Sequence, residues 1–98
     1  MLDKKNAQPI SDMLSEFLNG NPKLKVSLAE HRAISAWKEL LGEGVSQYTT
    51  NIYFRRNVLF VQLTSSVLRA ELLMNKQNLI KRINEQAGMD VVKDIVMR

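Results

Sequence analysis

The chain has 98 residues, no cysteine, and a formal charge of +4 at neutral pH. That is one domain, large enough to bury roughly 60–70% of the surface its unfolded chain would expose, and it has neither a disulfide framework nor a thiolate metal site. No apolar run reaches the ~18 residues of a membrane span and no signal-like apolar segment follows MLDKK, so a cytoplasmic protein without a membrane partner is expected. The charge is unevenly placed: residues 1–49 hold six Lys and Arg against six Asp and Glu, and residues 50–98 hold eight against four. A basic half suits a polyanionic partner, and it equally suits a surface that is merely solubilising.

In chain order, residues 1–8 are expected to be a flexible N-terminus. PISDMLSEFLNGNP then reads as a short amphipathic helix: Pro9 stands near its start, Ile10, Met13, Leu14, Phe17 and Leu18 form its apolar stripe, and Gly20 with Pro22 stops it. Ser27 and Glu30 have the spacing of a capping box, which predicts that a second helix starts there. Its stripe is Ala33, Ala36, Trp37, Leu40 and Leu41, its end is Gly42, and Trp37 is the large core anchor.

From Thr49 the apolar period becomes two, and TTNIYFRRNVLFVQLT predicts a hairpin turning at Arg56 and Asn57. A two-residue turn pairs Phe54 with Leu59, Ile52 with Val61 and Thr50 with Leu63 on one face, which is core. It pairs Arg55 with Val58, Tyr53 with Phe60 and Asn51 with Gln62 on the other, which is wet or lightly covered. Ser65 and Ser66 are candidate caps for a helical pattern that runs to Ala87 and ends at Gly88. Within that pattern Leu68, Leu72, Leu79 and Ile83 share one sector, with Leu73, Ile80 and Ala87 on the next.

Arg69 and Lys76 project between those two groups, where an unpaired buried ion would cost several kcal/mol. Either the helix breaks near residues 74–78 or the long side chains snorkel to the rim. Both routes bring cations to a surface edge. Val91 to Met97 is β-branched and apolar, and predicts a third strand that returns parallel to the second through a right-handed crossover.

Little in the chain suggests catalysis. His31, the sole histidine, falls early in the second helix as an exposed residue, and the glycines of Gly42-Glu43-Gly44 match neither a dinucleotide fingerprint nor a phosphate loop. Asp12 with Glu16, Glu39 with Glu43, and Asp90 with Asp94 lie at solvated positions rather than as acid/base pairs. The reading is therefore a non-enzyme with no cofactor, no metal and no small-molecule substrate.

Three stretches in order, AWKELLGEGVSQYT, LFVQLTSSVLRAEL and LIKRINEQAGMDVVKDIVMR, resemble the DciA family of bacterial proteins associated with the replicative helicase. The resemblance covers most of the chain. It implies one KH-like α+β domain over 1–98, with helices packed on a three-stranded mixed sheet in the order α-α-β-β-α-β. It further implies binding of single-stranded or branched DNA and contact with the helicase DnaB. Trp37, Gly42, Ser65 and Ser66 carry over as structural positions, and Arg69 and Lys76 as candidate DNA contacts. Lys81 and the hairpin residues Arg55, Arg56, Tyr53 and Phe60 complete the nucleic-acid-binding set. The Gly-x-x-Gly clamp of typical KH domains is absent, so the grip would come from Arg and Lys around the helix and hairpin. The rival readings are an RNA-binding KH-like module and a protein-interaction adaptor that binds no nucleic acid.

Overall fold

The computed structural model describes the backbone from Lys4 to Arg98 and the side chains from Asp12 onward. Among these residues the order is α1 (Lys4–Asn19), α2 (Pro22–Ser46), β1 (Thr49–Arg55), β2 (Val58–Leu63), α3 (Ser66–Met74), α4 (Lys76–Ala87) and β3 (Asp94–Met97). The architecture is the expected α+β one with one helix more. β2 is the central strand of the sheet, antiparallel to β1 and parallel to β3.

The two N-terminal helices depart from their predicted starts. α1 begins at Lys4, ahead of Pro9, and covers part of the stretch expected to be flexible; residues 1–3 lie outside the described residues. Of its expected apolar stripe only Leu18 is half-buried, Met13, Leu14 and Phe17 are exposed, and the Ile10 side chain lies outside the described ones. α2 starts at Pro22 rather than at the Ser27 box. Proline is suited to a first turn because the N–H it lacks would have no partner there, so the helix starts sooner and Ser27 becomes an interior residue.

Of the predicted α2 stripe Ala33, Ala36 and Trp37 are buried, and Leu40 and Leu41 are half-buried against the core. Ala29, Ala33 and Ala36 allow close approach, and Trp37, at 0% exposure, fills the centre of the core. Its Nε1 donates to Thr49 Oγ1 at 3.2 Å, which joins the helix to the first strand. At Gly42 the backbone swings to φ 73° and ψ −177°, and a further short turn follows in a new direction. A Cβ at Gly42 would meet nothing within 4 Å, so it is the backbone angle and not space that requires glycine there.

The hairpin turns on two residues as predicted, with Arg56 at φ 51° and Asn57 at φ 66°, both left-handed. This is the backbone of a type I′ turn, whose twist matches that of the flanking strands. The register agrees from Arg55↔Val58 back to Asn51↔Gln62. It then slips: Leu63 pairs with Thr49, not with Thr50, and Thr50 is taken up in a bulge. Thr49 is pinned by Trp37 on one side and by its own bond to the Val45 carbonyl on the other (3.1 Å), leaving Thr50 as the surplus residue.

Beyond β2, the Ser65 hydroxyl accepts from the Leu68 N–H at 3.2 Å and caps α3, with Ser66 as the first helical residue. The predicted long helix is broken at Asn75, whose φ of −110° and ψ of 17° are non-helical. The phase change buries Leu72, Leu79, Ile83 and Ala87 and turns Leu73, expected near the core, out to solvent.

The third strand is shorter than predicted. Val91 and Val92 are buried but precede β3. Asn84 from α4 meets Val92 instead: its Nδ2 donates to the Val92 carbonyl and its Oδ1 accepts from the Val92 N–H, both at 2.9 Å. A side-chain amide thus supplies the two bonds a neighbouring strand would have made.

All buried strand residues, Leu59, Val61, Leu63 and Ile95, lie on the helix-facing side of the sheet. The radius of gyration is 16.0 Å, against roughly 13 Å for a compact domain of this length. No described helix is long and apolar enough to cross a membrane.

Candidate nucleic-acid interface

The alternation that buries one side of the hairpin necessarily presents the other. Asn51, Tyr53 and Arg55 from β1 share that outer face with Val58, Phe60 and Gln62 from β2 and Val96 from β3. The helices pack on the opposite side, so this face stays open. Tyr53 is 41% exposed, and its ring meets Phe60 edge-on, with centroids 5.2 Å apart and planes at 90°. Above Phe60 sits the Arg98 guanidinium, 5.2 Å from the ring centroid. The negative face of an aromatic ring attracts a cation placed there.

Arg98 was missed at the sequence level. Its signal was the strand period: two residues beyond Val96, which pairs with Phe60, the chain returns to the same face. Its backbone continues the ladder, donating to the Val61 carbonyl at 2.9 Å and accepting from the Leu63 N–H at 2.7 Å.

The cations named from sequence divide between separate places. Arg55 and Arg56 stand exposed at the hairpin tip, beside the start of β2. Arg69 is at the other end of that strand, donating from Nη1 to the Leu63 carbonyl at 3.3 Å. Five residues of extended chain separate those ends, about 17 Å. The break at Asn75 moves Lys76 away from Arg69, back toward the start of β3, where its Nζ lies 2.9 Å from Asp94 Oδ1. Asp94 is held below the usual carboxylate range by the Lys76 hydrogen bond first, which outweighs the opposing effect of burial, with the Ile95 N–H and the Lys76 charge adding to the lowering. Lys81 is exposed on α4, lining a hollow with Glu85 and Asp90. Among the described residues Lys76 is the one cation in an ion pair.

Sequence comparison adds to this geometry. A family model described as "Dna[CI] antecedent, DciA" matches residues 9–97. The chain belongs to the DciA family. Membership implies a helicase-loader-like role in DNA replication, in a family not known for enzymes. No curated protein and no solved structure matched the chain. For this DciA domain, then, the residues that would serve such a role have to be read from its own surface, and the open sheet face is where aromatic and cationic side chains meet.

Proposed function

We propose that this protein binds single-stranded or branched DNA across the open face of its sheet while assisting the replicative helicase DnaB, in the cytoplasm at the nucleoid. One observation carries the reading: Tyr53 and Arg98 both pack on Phe60, on a face no described helix covers, with Arg55 and Arg56 at its end. Bases stack on aromatic rings with about 1–3 kcal/mol each, whatever their sequence, and phosphates follow the cations. Because Arg98 occupies the Phe60 ring, Tyr53 is the platform and Phe60 its brace.

The turn supports the same reading. A type I′ turn prefers Asn-Gly, and an arginine at left-handed φ is a local cost that a charge in contact with DNA would explain. Arg69, at the far end of β2, and Lys81, on α4 away from the open face, would be separate phosphate contacts. Lys76 joins them by exchanging Asp94 for a phosphate, a change within reach because a half-exposed ion pair is worth only ~0.2–1 kcal/mol.

The exposed apolar surfaces support the helicase half of the proposal. Met13 and Phe17 on α1 and Val67 and Met74 on α3 are between 55% and 83% exposed, as is common where a protein partner docks. They also favour the second reading, an adaptor without nucleic-acid binding.

A salt titration of binding to short single-stranded DNA, single-stranded RNA and duplex DNA separates these. DNA-strand affinity is expected to fall with salt with a slope of about −0.7 per phosphate neutralised, and Tyr53→Ala to weaken it at every salt concentration. Absence of binding to all three, with capture of purified DnaB that is lost in Phe17→Glu or Met74→Glu, would leave the adaptor. Preference for the RNA strand would replace DNA with RNA as the ligand.

A further inference from the structure

Beside the aromatic pair stand two amide side chains with no structural duty. Asn51 and Gln62 oppose each other across β1 and β2, and both are exposed. With Tyr53, Phe60 and Arg98 they line a hollow of about 120 Å³. Among the described residues neither amide side chain bonds to the protein. Gln62 is engaged through its backbone, whose carbonyl accepts from Thr50 Oγ1 at 3.3 Å. The Thr50 bulge marks the end of the regular hairpin register directly beside this pair.

A carboxamide presents one donor and one acceptor side by side, and the exposed edge of a nucleobase presents a complementary pair. Lysine or serine at these positions would offer only a point contact. The surroundings match the rest of a nucleotide: a ring face at Tyr53 for the base plane, and the Arg98 guanidinium for the phosphate. Resting on the DNA reading above, we propose that the hollow takes a single nucleobase, stacked on Tyr53, whose hydrogen-bonding edge is read by Asn51 and Gln62. The face would then discriminate among bases, which stacking and phosphate contacts alone do only weakly.

The test is fluorescence anisotropy with labelled homopolymers of dA, dC and dT at one salt concentration, on the full chain and on two double variants. In the native chain the three affinities should span at least fivefold. Asn51→Ala with Gln62→Ala should compress that span to within twofold while leaving the salt slope unchanged. Arg55→Ala with Arg56→Ala should do the opposite, flattening the slope and keeping the base preference. All four positions are exposed, and an unaltered thermal midpoint checks that each variant is folded. Equal native affinity for the three strands would overturn the amide reading alone, and so would a preference that survives loss of both amides, since stacking would then be its source. Failure to bind any strand would overturn the DNA reading as well.

Discussion

The two faces of one hairpin are built from alternate residues of the same two strands, yet they answer to different demands. On the helix side Leu59, Val61 and Leu63 are buried, and any change there is felt by the whole core. On the outer side Asn51, Tyr53, Arg55 and Gln62 are exposed and stabilise little. A residue on the inner face is constrained by packing, and a residue on the outer face is free to be chosen for what it touches. Where the hairpin is locally costly, as at its turn with Arg56 at φ 51°, the reason should be sought outside the fold.

The sharpest way to break the contrast is from the inner side. Trp37→Ala removes the central side chain and its bond to Thr49; a loss of about 3–5 kcal/mol is expected by urea denaturation, enough to unfold a marginal domain. Next in size is Asn84→Ala, which strands the buried Val92 N–H and carbonyl. At about 1–3 kcal/mol for each of the two unpaired groups, it should cost roughly 2–6 kcal/mol and release hydrogen exchange at residues 91–93 before the rest of the sheet.

Outer-face changes should leave stability nearly untouched and act on binding. Tyr53→Ala is expected to weaken binding to single-stranded DNA by about 1–3 kcal/mol while moving the denaturation midpoint by much less. A variant that loses as much stability as affinity would erase the distinction between the faces. Arg56→Gly should pull the two properties apart, stabilising the turn by about 1 kcal/mol because an L side chain in the left-handed region costs roughly 1–2 kcal/mol that glycine does not, while reducing the salt slope of DNA binding by about 0.7.

The smallest effect concerns acid. The Asp94 carboxyl has a lower pKa folded than unfolded, so its stabilisation is complete above the ordinary value of 3.8 and is lost as pH falls through the depressed folded value. With the side chain 48% exposed, solvent screening keeps the loss to a few tenths of a kcal/mol. Denaturation curves of the native chain and Asp94→Asn should converge at low pH and differ slightly at pH 7. The same substitution should raise DNA affinity by freeing Lys76.

Much of the molecule was legible because periodicity is a strong signal where a face is buried. The hairpin register, the Trp37 stripe and the Ser65 cap follow from side-chain spacing and local hydrogen bonding alone. What escaped depends on neighbours distant in sequence. The Thr50 bulge arises because Trp37 fixes Thr49, and the short third strand arises because Asn84, a residue indistinguishable from a surface amide in the sequence, reaches Val92. The candidate site was read in part: Tyr53 and Phe60 came from the register, but Arg98 required counting the parity of a strand whose start was misjudged. Arg69 and Lys76, seven apart on one expected helix, were parted by the non-helical backbone at Asn75.

The lone indole of the chain lies sealed beneath the sheet, on the side away from the open face. Its emission should therefore report unfolding and stay silent when a strand settles on Tyr53, whose own fluorescence a stacked base would quench. With the other tyrosine replaced, as Tyr48→Phe, the indole and Tyr53 give separate optical channels for integrity and occupancy in one unlabelled sample.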